Sequence, residues 1–195
     1  MYQLGITGGI GSGKTLVCSV LEKLGAAIYN ADSEAKKLMS SDTSLINQIK
    51  ELFGEEAYSG TIVDRAYLAR QVFGDPQKLA QLNAVVHPAV RSDFTCWVKS
   101  QYDAAYVVEE AAILFESGAN RFMNGTVLVH ASEKIRIERV VKRDGVDEAS
   151  VKRRMKHQMA DEEKKKLVDH VIYNDDTEML LPQIISLHEK ILNSR

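Results

Sequence analysis

Short apolar runs alternate along the chain with longer stretches of helical period, the pattern of a parallel sheet covered by helices. Strands are predicted at Tyr2 to Thr7, Ala26 to Tyr29, Ala105 to Val108, Thr126 to His130 and Val171 to Tyr173. After the first of them, Val17, Val20, Leu21 and Leu24 recur at i, i+3, i+4 and i+7, and Gly25 can supply the left-handed residue that ends such a helix. About 75 residues separate the second strand from the third, far more than one crossover helix needs, so a mostly helical insertion is expected there. Inside it, Asp75 and Pro76 read as N-cap and first residue of a helix carrying Leu79, Leu82, Val85 and Val86, limited near His87 by Pro88. A charged stretch from Glu133 to Gln158, nine Lys/Arg against five Asp/Glu, is divided into two helices by Gly145 and Asp147. The last helix shows Leu180, Ile184, Leu187 and Ile191 on one face, with Pro182 in its first turn or kinking it.

Composition narrows the classes. At 195 residues and 45% apolar, the chain can bury a sizeable core. A net charge of −2 gives no electrostatic footprint for nucleic acid. Cys18 and Cys96 lie too far apart for a CxxC or zinc pattern and are expected to be buried thiols in a reducing compartment. Met1 runs directly into YQLGIT without a leader pattern, and no apolar run approaches the length of a membrane span, so a cytoplasmic protein is expected.

The candidate chemistry begins at Gly8-Gly9-Ile10-Gly11-Ser12-Gly13-Lys14-Thr15, which satisfies GxxxxGK[ST] between a predicted strand and a predicted amphipathic helix. Glycines let successive N–H groups turn inward onto a β-phosphate at the positive end of the helix. Lys14 would bridge β- and γ-oxygens, and the Thr15 hydroxyl would ligate Mg²⁺. Asp32 directly follows the second strand, where it would serve as base for an attacking hydroxyl, position Mg²⁺ through water, or only cap the next helix. Glu109 and Glu110 follow the third strand, one facing a metal and the other turned away, unless both are a solvated strand end. Arg136, Arg139 and Arg143 share one helix face, either as a solvated row or as a lid over bound triphosphate. His87, His130, His157, His170 and His188 show no metal-ligand spacing.

These residues carry a resemblance to the dephospho-coenzyme A kinases that runs nearly end to end: LGITGGIGSGKT, NADSEAKKLM, FGEEAYSGTIVDRAYLARQVF, VVHPAV, ILFESG, RVVKRDG, RRMKHQ and VIYND. The resemblance implies ATP-dependent phosphorylation of the ribose 3′-hydroxyl of dephospho-CoA, and an α/β P-loop NTPase three-layer fold with a parallel five-stranded sheet. It further implies a nucleotide-binding core of residues 1–30, 100–132 and 167–195, a helical acceptor region of 31–99 and a lid of 133–166. Carried over, Asp32 matches the family's proposed base, Arg139 and Arg143 its lid arginines, Arg154 and Gln158 its second lid helix, and Asn174 a position near adenine. Arg65 and His87 fall in the matching acceptor-side stretches. A monomer acting on ATP and dephospho-CoA with Mg²⁺ is expected. Two departures stand out. Glu110 and Ala112 replace the family's usual aspartate and proline, and Leu16 replaces a hydroxyl residue, leaving only its backbone N–H for an α-phosphate.

Overall fold

The computed structural model describes residues 1–156 and 158–194, and the chain divides into two compact units, Met1–Asn30 with Gln101–Arg195, and Ala31–Ser100. The first unit opens with β1 (Gln3–Thr7), α1 (Lys14–Lys23) and β2 (Ala27–Asn30). The second holds α2 (Ala31–Ser41), α3 (Thr43–Phe53), the two-residue strands β3 (Tyr58–Ser59) and β4 (Ile62–Val63), α4 (Arg65–Val72) and α5 (Pro76–Lys99). The chain then returns to the first unit through β5 (Val107–Glu110), β6 (Gly125–His130), α6 (Glu133–Asp144), α7 (Glu148–Met155), α8 (Asp161–Lys164), β7 (His170–Tyr173) and α9 (Leu180–Asn193).

All five strands of the first unit are parallel, in the order β2-β5-β1-β6-β7. With β1 central, the loop that leaves its carboxyl end stands over the middle of the sheet, where ligands of open α/β sheets gather. Alternation gives each face of β1 its task. Leu4 and Ile6 join Val17, Leu21, Val127, Val129, Ile184 and Leu187 in a continuous core beneath α1 and α9. On the opposite side, Leu114 and Met123 press so closely on Gly5 that a Cβ there would require them to shift. Pro182 lies in the first turn of α9, where its missing N–H costs no helical bond.

In the second unit, α2, α3 and α4 all pack against α5, which presents Val86, Val90 and Phe94 along one stripe. Asp75 caps α5 as expected, accepting from the Gln77 and Lys78 amides at 3.0 Å each. Three expectations change. The helix does not stop before Pro88 but runs through it to Lys99, because burial of Val90 and Phe94 on the far side outweighs the one helical bond that proline cannot donate. Cys96 is exposed, lying off the Val86-Val90-Phe94 stripe, whereas Cys18 is buried. The short β3–β4 hairpin interrupts a segment expected to be helical, closing over Gly60 in a left-handed turn.

The third strand of the sheet is also displaced. Ala105 and Tyr106 lead up to it rather than start it, and the ladder continues through Glu109 and Glu110, which pair in register with Tyr29 and Asn30 on one side and with Gly5 and Ile6 on the other. Both glutamates are therefore buried, which removes the reading of a solvated strand end.

A candidate phosphoryl-transfer site around the phosphate loop

The loop from Gly8 to Gly13 is an inward-folded turn closed by Ser12 N–H donating to the Gly9 carbonyl at 3.1 Å. Gly13 precedes α1 with φ +95°, and a Cβ there would collide with the Asn174 amide, so left-handed backbone and close approach both demand glycine. Side chains from beyond β7 and from beyond α7 tie the loop from outside. Asn174, just beyond β7, donates from Nδ2 to the Ser12 carbonyl at 2.8 Å, and the Gln158 side chain accepts the Ile10 N–H at 3.1 Å. Leu16 is half exposed, and its amide donates to the Gly13 carbonyl at 3.0 Å, within the first turn of α1.

Two polar contacts stand at the loop and the start of α1. Lys14 extends back along the loop and donates from Nζ to the Gly8 carbonyl at 2.8 Å, holding its ammonium at the leading edge. The Thr15 hydroxyl donates to Glu110 Oε1 at 3.0 Å, and Asn30 Nδ2 donates to Glu110 Oε2 at 2.9 Å, so one carboxylate ties the ends of β2 and β5 to the start of α1. Of the two glutamates, it is Glu110 whose carboxylate meets Thr15. Burial raises the Cys18 thiol far above the ordinary range, and the Glu110 charge adds to this, so Cys18 stays a neutral thiol beneath the carboxylate.

The arginine row of α6 is graded. The Arg136 side chain is 11% exposed, Arg139 33% and Arg143 63%. Arg136 lies directly on Gly9, where a Cβ would overlap its guanidinium. Arg139 donates to the Asn174 carbonyl at 2.9 Å and faces Asp176 at 3.8 Å. Arg143 is bidentate on Asp144, at 2.7 and 3.2 Å, and Arg154 donates to that same carboxylate at 3.1 Å. Gly145 and Asp147 separate α6 from α7 as expected, Gly145 in the left-handed region and Asp147 accepting the Ser150 amide at 2.7 Å.

Three contributors were not singled out from sequence. Asn30 orients Glu110. Lys164 is fully buried, with Nζ 2.9 Å from the Ala112 carbonyl, 3.2 Å from Glu116 and 3.5 Å from Thr7 Oγ1, so its three donors meet three acceptors. Asp161 lies 2.9 Å from His130 Nδ1 through one oxygen, and its other oxygen lies 3.9 Å from Arg136. The order of sequence conceals these pairings: Lys164 stands in a run of three lysines that reads as a solvated face. His188 meets the Tyr106 hydroxyl at 3.0 Å, and His157 lies outside the described residues.

The remaining predicted residues belong to the second unit. Asp32 is the exposed second residue of α2, inside the helix rather than ahead of it, and so is not its N-cap. Arg65 is the exposed first residue of α4, behind the Asp64 cap. His87 is half-buried in α5. Burial, and then the Arg91 charge one turn on, lower its proton affinity, so the folded chain favours the neutral ring. Stability from this source is complete above the unfolded-state value near 6.5 and declines as pH falls through and below it. Urea midpoints should thus drop more steeply between about pH 7 and 5 for the wild type than for His87→Asn. Parallel curves would show that His87 does not contribute.

The profile of the family described as CoaE, dephospho-CoA kinase, matches residues 2–179. The chain belongs to the dephospho-CoA kinase family. The dephospho-CoA kinase of Salinibacter ruber is 43% identical over 180 residues, covering 91% of this chain and 90% of the relative. A crystal structure of a Thermus thermophilus protein is 35% identical with a TM-score of 0.82, covering 99% of this chain and 97% of that one. The dephospho-CoA kinase of Campylobacter jejuni, at 22% identity and a TM-score of 0.69 over 98% of both chains, shares the fold. The function follows from the family: this dephospho-CoA kinase uses ATP to phosphorylate dephospho-CoA, the final step of coenzyme A biosynthesis. The sheet order and loop are those of an α/β P-loop kinase. Among the described residues, no helix is long and apolar enough to cross a membrane.

Proposed function

We propose that the γ-phosphoryl group of ATP is transferred in line to the ribose 3′-hydroxyl of dephospho-CoA, with Gly8 to Thr15 as donor cradle. The observation that carries this reading is the paired placement of Lys14 on the Gly8 carbonyl and of Thr15 on Glu110. Together they put a cation at the leading edge of the loop and two hard oxygen donors at the start of α1.

That donor set fits Mg²⁺. The Thr15 proton is committed to Glu110, which leaves the hydroxyl lone pairs available, and both Glu110 oxygens retain lone pairs beyond their bonds to Thr15 and Asn30. Among the described residues no three His, Cys, Asp or Glu side chains gather as a metal site, which suits an ion that takes most of its ligands from phosphate and water. When bound, Mg²⁺ neutralises phosphate charge.

The residues of the chain account for the rest. Backbone N–H groups from Gly9 to Leu16 orient the phosphates, those of Ile10, Ser12 and Leu16 by exchanging their acceptors within the protein for phosphate oxygen, and Lys14 offsets charge on β- and γ-oxygens as the terminal bond breaks. Asp32 orients the acceptor hydroxyl and takes its proton, supported by a position two residues past the carboxyl end of β2 and by the family match. Arg139 adds positive charge from the lid, 133–166, and Arg143 would do so by exchanging Asp144 for phosphate. Asn174 borders the adenine, and region 31–99 takes the acceptor through residues including Arg65 and His87. Residues 1–30, 100–132 and 167–195 form the nucleotide core. The enzyme acts as a monomer in the cytoplasm, a reducing setting that suits an exposed Cys96 thiol.

The test is purified protein with ATP·Mg and dephospho-CoA, following ADP and CoA together, against AMP, adenosine and water as acceptors. Equimolar ADP and CoA is the expected result. Phosphorylation of AMP or adenosine in preference to dephospho-CoA would overturn the acceptor assignment.

A further inference from the structure

Arg136 is the residue whose surroundings the site above leaves unexplained. Its side chain is almost wholly buried, and its Nε finds no hydrogen-bond acceptor. Its nearest anion is Asp161, at 3.9 Å, too far for a hydrogen bond. A guanidinium held this dry normally makes several charge-assisted bonds, so the arrangement conserves donors instead of consuming them.

Its position says what they face. The guanidinium overlies Gly9, and the Arg136 carbonyl stands against Gly11, so α6 presses backbone and side chain alike onto the loop. Lys14 Nζ stands on the carbonyl of Gly8, the residue before Gly9. The two cations thus converge on the same end of the loop, the end at which a P-loop lysine meets the γ-phosphate. Arg136 also lines a cavity of about 540 Å³, where Lys152 and Lys156 stand with the carboxylates of Glu133, Asp161 and Glu162. Asp161 is fixed in turn by His130, the last residue of β6, at 2.9 Å.

We propose that Arg136 is a catalytic residue of this kinase, donating to the equatorial oxygens of the phosphoryl group in flight, and that Asp161, seated by His130, is the positioning residue that holds it over Gly9. The proposal rests on the donor-cradle reading above. No bond to Arg136 is made or broken covalently: the γ-phosphorus leaves the β-bridging oxygen and joins the acceptor oxygen, whose proton departs to a base. Charge spread over the equatorial oxygens in that passage is what a planar fork stabilises better than a point charge.

The test compares Arg136→Ala, Arg136→Lys and Asp161→Asn with the wild type in the coupled CoA and ADP assay. Arg136→Ala should lose roughly 100- to 1000-fold in kcat with ATP affinity within about threefold, and added guanidinium ion, but not sodium at equal ionic strength, should restore part of it. Asp161→Asn should lose about tenfold or less, because the arginine itself remains. A kcat within about threefold of wild type in Arg136→Ala, or an equal loss in Asp161→Asn, would overturn the proposal. If Arg136→Ala does not fold, Arg136→Lys decides: a loss of about tenfold or more at an unchanged melting temperature supports it, and wild-type kcat refutes it. Equimolar CoA and ADP from the wild type upholds the donor-cradle reading whichever way Arg136 falls.

Discussion

Replacing Lys14 with alanine is expected to lower kcat by roughly 1000-fold or more while leaving the fold intact. The ammonium's bond to the Gly8 carbonyl is one contact on a turn that is also held by its glycines and by ties from Asn174 and Gln158. On the proposed reading, what disappears is a cation that would hold β- and γ-oxygens in a low-dielectric cradle, with an effect that grows as charge shifts during transfer. Circular dichroism and melting temperature should match the wild type as turnover vanishes. Turnover within tenfold of wild type would mean that another group carries the γ-phosphate.

Asp32→Asn is expected to reduce kcat by about 100- to 10,000-fold and to change ATP affinity only a few-fold. The substitution preserves shape and removes only the capacity to accept a proton. Asp32 is exposed on the first turn of α2 and, since it lies inside the helix, the loss of a capping bond would not confuse the result. Single-turnover measurements separate chemistry from acceptor binding. A near-normal single-turnover rate would dismiss Asp32 as the base.

Much of this architecture was legible because the signals were local. A strand of alternating faces, a glycine loop and a helix of period 3.6 follow one another within the first 25 residues, and Asp75-Pro76 and Gly145-Val146-Asp147 carry their capping chemistry within three positions. Expectation failed where tertiary burial overruled a local rule. Pro88 signals a helix end, yet buried neighbours on both sides carry α5 through it. Glu109 and Glu110 left two readings open, one carboxylate turned toward a metal or both a solvated strand end, and only the pairing with β1 and β2 shows that they are buried. Cys96 was judged by residue type, although its angle around α5 determines its exposure.

The site divides in the same way. Lys14 and Thr15 are fixed by motif, and Glu110 by its place at a strand end. Arg136 was visible as one of three arginines, but no spacing rule could show that it alone of the row would lie on Gly9, since that depends on where α6 meets the loop. Asp161 and His130 are thirty-one residues apart, and Lys164 lies far in sequence from all three of its acceptors.

Lys164 also bears on how the protein tolerates alteration. By fastening α8 to the end of β1 and to the segment after β5, it makes the stretch from Glu133 to Ala160 a length of chain pinned at both ends, by β6 and by this ammonium. A short glycine-serine insertion beside the exposed Gly145 adds slack at the free turn and should leave the melting temperature nearly unchanged. The same insertion between Met159 and Lys164 would draw the lysine out of register with Ala112, strand a charge in the interior and lower the melting temperature by several degrees. A fluorescent or affinity tag placed at that turn would therefore report on the segment without disturbing the sheet beneath it.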